Sequence, residues 1–372
     1  MPSVSSNRRP RILLLSAYHA KSHAYWCDGL MAALPDYDWT LKTQLPRHFS
    51  WRVRASDWIW GLQTDSDLDR EYDLIIATSL SGLAGLKALR PNLAQIPTWV
   101  YFHENQFAHP LEKRQSGDHQ IGWQFSSLQN ALCSDWVSFN TAFNRDTFFK
   151  GLRRLLKRMP ERLPNKPIAK LKAHSDVMPV PLSEDLSSLR ESSKDPALIL
   201  WNHRWEWDKQ PQRLLSALIE LKQEGVSFRL AMLGTGGADD DRFAKERKIL
   251  ADRIVHWGEA DASSYREWLG RAGIGVSCAL HDFQGLAVLE AAQAGATVII
   301  PERVAYPECL PEALFYEGSS KDEAIEVADL KEALRSALQA GKPKPVSLDS
   351  IPLWSQWGEA YAERIETLIG AI

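Results

Sequence analysis

Cysteine is scarce in this 372-residue chain: Cys27, Cys133, Cys278 and Cys309 lie far apart, with no CxxC pair among them. That leaves neither a disulfide framework nor a zinc site, and it suits a reducing, cytoplasmic compartment. No run approaches the roughly 18 consecutive apolar residues of a membrane span. The apolar run after the basic N-terminus, residues 11–17 (RILLLSA), is too short for a signal sequence and reads as a first buried strand. No membrane partner is expected, and nothing calls for an obligate protein partner. Net charge is only −3, so no global field draws nucleic acid and any basic surface must be local. A P-loop, a GxGxxG fingerprint and an internal repeat are also missing.

Tryptophan, in contrast, is abundant at 15 residues, many of them clustered near polar side chains. Apolar (44%) and charged (24%) fractions are those of a soluble globular protein, and the length suits two domains. Residues 11–17, 72–78 (YDLIIAT), 98–103 (TWVYFH) and 136–140 (WVSFN) read as strands buried on both faces, with 37–44 as a further strand. Helical patterns at 23–34, 83–89, 127–132 and from Thr141 alternate with them, the mark of a parallel α/β domain. Residues 47–61, rich in Trp and Arg, give no clear assignment. Residues 183–196, rich in Ser, Asp and Glu, read as an interdomain linker. A second α/β pattern follows, with strands at 197–201, 228–233, 253–257, 274–277 and 297–300 and helices at 212–223, 263–272 and 331–340. The expected fold is therefore α/β with two doubly wound domains, residues 1–185 and 186–350. A last helix in 351–372, carrying Trp354 and Trp357, is expected to cross back to the first domain. In such sheets ligands bind beyond the carboxyl ends of the strands.

Residues 280–295 (LHDFQGLAVLEAAQAG) hold a polar turn, then an Ala-rich apolar segment that Gly295 ends as a C-cap. The helix should begin near Gly285, its unpaired amides favouring an anion, with Asp282 and Glu290 flanking them. A ligand that is part phosphate and part sugar fits; a buried helix after an ordinary turn is the alternative. Residues 202–209 (NHRWEWDK) follow a strand directly, and Arg204 and Lys209 there are two cations able to close on one phosphate ligand. The GTGG turn beginning at Gly234 either wraps a phosphate or base or is a plain left-handed turn. In the first half, His103-Glu104-Asn105-Gln106 ends a strand, and His103 there is either a sugar contact or general acid/base, or a structural histidine. His19, Lys21, Ser22 and His23, after the first strand, are phosphate or acceptor candidates, as are Glu104 and Asn105. Residues 145–172 carry ten Lys and Arg against two acids. Lys150, Arg153, Arg154, Lys157 and Arg158 would meet an RNA backbone there, unless the run is simply a solvated helix face.

Together these segments resemble retaining glycosyltransferases of the GT-B fold, a group with two facing Rossmann-like domains and a cleft between them. Arg204 and Lys209 match that group's cation pair, and Asp282-x7-Glu290 matches its Glu-x7-Glu pattern. More narrowly, residues 101–106 (YFHENQ), 139–143 (FNTAF), 200–209 (LWNHRWEWDK), 281–291 (HDFQGLAVLEA) and 306–308 (YPE) are similar to the tRNA-queuosine α-mannosyltransferase family.

The resemblance implies transfer of mannose from GDP-mannose to the cyclopentenediol of queuosine in a tRNA anticodon. The donor is a co-substrate; no cofactor and no metal are implied. Arg204 and Lys209 would hold the diphosphate, Glu290 the ribose hydroxyls, and Asp282 with the backbone of Phe283, Gly285 and Leu286 the donor sugar. His103 would sit by the reaction centre, and Gly234 would line the donor site. A small-molecule or lipid acceptor is the rival within the class, and a non-catalytic tRNA- or nucleotide-binding module the rival outside it. Two departures stand out. Asp282 replaces the usual Glu, and Ala20-Lys21 stands where a Gly-Gly pair is usual.

Overall fold

The structure, a computed structural model, describes residues 8–109, 117–237, 241–320 and 322–371. The chain divides into two compact units. The first runs to Pro181 and takes in Trp354–Ile372; the second is Leu182–Leu353.

In the first unit the elements are β1 (Arg11–Ser16), α1 (Lys21–Ala33), β2 (Asp38–Thr43), α2 (Phe49–Leu62), β3 (Leu74–Thr78), α3 (Leu83–Leu89), β4 (Thr98–Phe102), α4 (Gly117–Leu132), β5 (Trp136–Phe139), α5 (Ala142–Arg158), α6 (Asn165–Ala173) and β6 (Ser175–Val177). The six strands are all parallel, in the order β2-β1-β3-β4-β5-β6. Every residue of β3 and β4 is buried, as the apolar runs require of strands covered on both faces. Of residues 47–61, opaque in the sequence, those from Phe49 onward form α2. Its buried face is Val53, Ser56 and Trp60, but Trp51 and Trp58 point to solvent, which blurs the helical period.

The second unit is built from β7 (Asp195–Trp201), α7 (Pro211–Gln223), β8 (Arg229–Leu233), α8 (Ala244–Ile249), β9 (Ile254–Gly258), α9 (Ala262–Arg271), β10 (Ala272–Val276), α10 (Leu286–Gln293), β11 (Thr297–Pro301), α11 (Tyr306–Cys309), β12 (Leu314–Tyr316) and α12 (Glu323–Ala340). Its parallel sheet runs β12-β11-β10-β7-β8-β9, so strand order reverses between β7 and β10.

The expected linker at 183–196 is not one. Residues Glu184–Glu191 form a 3-10 turn capped by Ser183, and the chain is bound into the second unit. Arg190 donates to the carbonyls of Gln293 (3.0 Å), Ala292 (3.1 Å) and Val346 (2.8 Å). The unit boundaries fall at 181/182 and 353/354, not at 185/186 and 350/351, because Leu182 pairs with Leu353 and donates its amide to the Pro352 carbonyl (2.7 Å). The last helix, α13 (Trp354–Ile369), belongs to the first unit. Trp354 closes on Gly29 of α1, where a Cβ would stand 2.4 Å from its indole nitrogen. Buried Tyr361 accepts from the Trp26 indole (3.1 Å) and donates to the Pro179 carbonyl (3.0 Å). Among the described residues no helix is long and apolar enough to cross a membrane.

Candidate active site

The reversal of strand order in the second sheet opens a crevice at the carboxyl ends of β7 and β10, where a doubly wound sheet takes its ligand. Residues 202–209 leave one strand there and residues 277–285 the other.

Lys209 lies at the end of a short 3-10 turn, Trp207–Lys209, that leads into α7 through Gln210 in a left-handed conformation (φ 48°). Its ammonium is largely buried. It donates to Asp282 Oδ1 (2.8 Å) and to the His281 carbonyl (2.8 Å), and pairs with Asp208 Oδ2 at 3.2 Å. The second oxygen of Asp282 accepts from the Tyr306 hydroxyl (2.6 Å), which also bonds Ser277 Oγ (2.8 Å). Burial alone would raise the Asp282 pKa. The charge of Lys209, with the hydrogen bonds from Lys209 and Tyr306, outweighs it and holds the carboxylate below its ordinary range. Burial likewise opposes the Lys209 charge, and Asp282 and Asp208 reverse that effect, so the ammonium titrates above its usual value. His203, beside them, is driven down to about 4 by burial and is neutral.

Glu290 projects from α10 into a second network. Burial pushes its carboxyl up to about 7, while the hydrogen bond from the Tyr265 hydroxyl pulls the other way. Tyr265, on α9, accepts from Asn202 Nδ2 (2.8 Å), and Asn202 donates also to the Ala287 carbonyl (2.9 Å). This chain of contacts ties α9, α10 and the edge of β7 around one carboxyl group.

Gly285 caps α10 with φ 82°, a backbone that L side chains rarely adopt, and a Cβ there would lie 2.6 Å from the Tyr306 ring. Val288 makes the first bond of the helix, back to Gly285, so the amides of Leu286 and Ala287 precede it and give the end its affinity for anions. Phe283 is buried, packed edge-on against His281 at 4.4 Å. Gly234 has φ 118°, and a Cβ there would fall 1.9 Å from the His203 carbonyl. The GTGG turn therefore closes onto the loop after β7, and that close approach explains its first glycine without any ligand.

Arg204 and Lys209 are held by different partners. Lys209 is inside the cluster just described, whereas Arg204 is exposed and paired with exposed Glu206 (2.8 Å). Trp201, Asn202, His203 and Trp205 are all buried, and Arg204 is the one residue of that run left exposed.

At the carboxyl edge of the first sheet, His103 directly follows β4. It stacks on His23 (4.3 Å between centroids, 23° apart), with Tyr101 at 4.7 Å and the edge of Trp26 at 5.0 Å. Burial, and to a lesser degree His23, hold it well below the ordinary histidine value, so it is neutral near pH 7. His103 Nε2 and both polar side-chain atoms of Gln106 are buried without a hydrogen-bond partner among the described residues. His23 Nε2 meets Glu104 Oε2 at 3.1 Å, which joins two of the acceptor candidates. His19 bonds Ser16 Oγ (3.1 Å), and burial lowers its pKa. Lys21 and Ser22 are exposed in the first turn of α1 rather than in a loop.

Asn105 cannot contact an acceptor as expected. It is fully buried; its Oδ1 accepts from the amides of Phe107 (2.9 Å) and Ala108 (3.0 Å), and its Nδ2 donates to the Asn144 carbonyl (3.0 Å), Asn144 Oδ1 (2.8 Å) and Thr147 Oγ1 (3.0 Å). It builds the turn instead.

In the basic stretch, α5 buries Phe148, Phe149, Leu152 and Leu155 and exposes Lys150, Arg153, Arg154, Lys157 and Arg158. Tyr306, Tyr265 and Asn202 carry no role in the sequence reading; the YPE motif marked Tyr306 and the NHRWEWDK segment opened on Asn202, but no local pattern pointed to Tyr265.

Residues 196–339 match the family of glycosyl transferases group 1. Solved structures share the whole architecture at low identity. Sucrose-phosphate synthase from Thermosynechococcus elongatus is 15% identical with a TM-score of 0.63, over 98% of this chain and all of that one. A glycosyltransferase from Rickettsia africae is 10% identical with a TM-score of 0.60, over 98% and 99%. Anabaena HepE, solved with UDP and glucose, is 12% identical with a TM-score of 0.57, over 96% and 99%. The chain is a glycosyltransferase of the GT-B fold, with two Rossmann-like domains.

Its first half is more particular. Residues 11–182 match the tRNA-queuosine alpha-mannosyltransferase N-terminal family. The tRNA-queuosine alpha-mannosyltransferase of Drosophila melanogaster is 28% identical over 323 residues, covering 84% of this chain and 85% of the relative. The likeness to the tRNA-queuosine α-mannosyltransferase family thus fills the first half and extends across most of the chain.

Proposed function

We propose that the protein transfers mannose from GDP-mannose to the cyclopentenediol of queuosine in a tRNA anticodon, with retention at the anomeric carbon. The reading of the acceptor rests on the family match of residues 11–182 together with the Drosophila relative of that name. The observation that supports the donor reading is the pair of built carboxylates at the second sheet's edge, Asp282 clamped between Lys209 and Tyr306, and Glu290 held by Tyr265.

Each group has chemistry to do. Lys209 and the amides opening α10 offset the charge that gathers on the departing diphosphate, an electrostatic effect that counts most in a dry site. Arg204, exposed, closes on the same phosphates only after leaving Glu206. Glu290 accepts from the ribose hydroxyls once ionised. Asp282, ionised and oriented, accepts from a sugar hydroxyl. Neutral His103 exchanges a hydrogen bond with the sugar without adding charge. The acceptor hydroxyl attacks from the face the diphosphate leaves, and the departing phosphate takes its proton, so no protein nucleophile is required. The cations of α5 meet the tRNA backbone, in keeping with a cytoplasmic reaction.

The test uses labelled GDP-mannose with tRNA carrying queuosine and the same tRNA lacking it. Label confined to the first tRNA, in a nucleoside heavier by one hexose, is expected. Label in neither, or transfer only to small acceptors, overturns the acceptor. Transfer from another nucleotide sugar alone overturns the donor.

A further inference from the structure

Helix α2 presents an outward stripe that the donor and acceptor edges do not use. Trp51 and Trp58 are 72% and 62% exposed, and Leu62, 70% exposed, continues the line. With Arg54, also exposed, they fall at i, i+3, i+7 and i+11 on one side of the helix, so the two indoles stand about 10 Å apart. Large aromatic side chains left in water cost free energy, and a line of them marks a binding face.

The charged side chains that α2 and the residues just before it turn outward are basic. Arg54 lies over α4, where a Cβ on Gly122 would come within 2.5 Å of its guanidinium. Arg47 is exposed just before the helix. The one acid of α2, Asp57, turns away, packed against Gly82 and Gly85 at the start of α3 and accepting from the Trp58 amide (2.9 Å). The outward face of α2 itself thus carries indoles and guanidinium groups, and its own one acid is turned off it, which suits stacked bases beside phosphates.

The stripe also begins at the right place. The loop into α2 leaves the carboxyl end of β2, at the rim where His19 and His103 lie. The His19 amide donates to the Gln44 carbonyl (3.0 Å), and Arg52 fixes the loop through Gln44 Oε1 (3.2 Å) and the Leu45 carbonyl (3.2 Å). Phe49 packs on Tyr18 (5.5 Å) and Trp123 (5.2 Å).

We infer that the outward face of α2 is a stacking platform for unpaired bases of the tRNA, continuous with the acceptor edge of the first unit. This rests on the tRNA reading above and adds a contact of a different kind from the phosphate contacts of α5. A hydrophobic partner or a second copy of this chain would want aliphatic cover or a carboxylate to meet Arg54; an RNA loop wants neither.

The full chain is assayed with tRNA carrying queuosine and its donor, comparing wild type with Trp51→Ala, Trp58→Ala, the double variant and Trp51→Phe/Trp58→Phe. The side chains are exposed, so folding is spared. Each alanine is expected to raise KM for tRNA about 5- to 100-fold, with donor KM unchanged, and phenylalanine to restore most of it. The salt dependence of tRNA binding keeps its slope in these variants and flattens when α5 charges are reversed. Unaltered tRNA KM in the double variant overturns the inference, as does a wild-type dimer that the double variant splits while still modifying tRNA normally. If wild type transfers no sugar, the proposed function fails by itself. Direct tRNA binding then decides the platform: loss in the double variant supports it, and equal binding, or none by wild type, overturns it.

Discussion

The carboxyl edges of the two sheets solve different problems. The second edge is ionic and buried, with Lys209 among Asp208, Asp282 and Tyr306, and Glu290 held by Tyr265. The first is aromatic, with neutral His103 stacked on His23 and flanked by Trp26 and Tyr101, and its one carboxylate in this group, Glu104, engaged by His23. A donor that brings a diphosphate and a ribose needs charge fixed in advance. An uncharged cyclopentenediol needs shape and neutral hydrogen bonds. The contrast matches the division of a transferase into a donor half and an acceptor half, and it is open to attack from either side.

Lys209→Ala should do most damage. It strands Asp282 and Asp208 in a largely buried site, a loss of about 3–5 kcal/mol in stability by denaturant unfolding, with sugar transfer abolished. Arg204→Ala should leave stability unchanged, because its pair with Glu206 is exposed, and should raise only the donor KM. Equal unfolding midpoints for both variants would erase the distinction between the two cations.

Next is Asn105→Ala, which orphans the amides of Phe107 and Ala108 and removes three donated bonds. About 1–3 kcal/mol of stability should go, with tRNA KM preserved in the folded fraction. A selective rise in tRNA KM would return Asn105 to the acceptor site.

Tyr306→Phe removes one bond to Asp282 and should weaken GDP-mannose binding about 3- to 10-fold while leaving GDP alone unaffected. Calorimetry with both ligands reads the split; an equal loss for both would mean a structural role only.

The smallest effect concerns pH and stability. His103 and His203 are buried neutral, so their contribution holds above the ordinary histidine pKa of about 6.5 and is lost as pH falls below it, toward about 4 for His203. His203→Gln should shallow the acid limb of a stability profile measured between pH 7 and 4.

Much of the donor site was legible in the chain. The turn into α10, Gly285 and the Asp282–Glu290 spacing are local, and helix geometry brings them together without help from elsewhere. Lys209 was legible as a cation after a strand, but its partners were not, because Asp282 arrives from the loop after β10. Tyr306 and Tyr265 come from α11 and α9, and only the folded sheet brings them to the carboxylates. Asn105 misled because it neighbours His103 in sequence, while its amide is spent inside the turn. The two doubly wound units were evident from strand and helix alternation. The segment 183–191 was not, since its Ser, Asp and Glu serve a capped 3-10 turn as readily as a linker. Helix α2 stayed hidden for the reason that makes it interesting: its outward face carries tryptophan.

The most direct test of the donor edge is GDP binding to wild type and Glu290→Gln between pH 6 and 8. The Glu290 carboxyl keeps its proton up to about 7, so burying it favours the fold at low pH and that contribution is lost as pH rises through about 7. Ribose hydroxyls donate to the ionised form. Wild-type affinity should therefore tighten as pH rises through 7, with protons released on binding, and the glutamine variant should bind more weakly at pH 8 with no such rise. An identical pH profile in the two proteins would contradict the assignment of Glu290 and, with it, the account of the second sheet's edge as the nucleotide-sugar site.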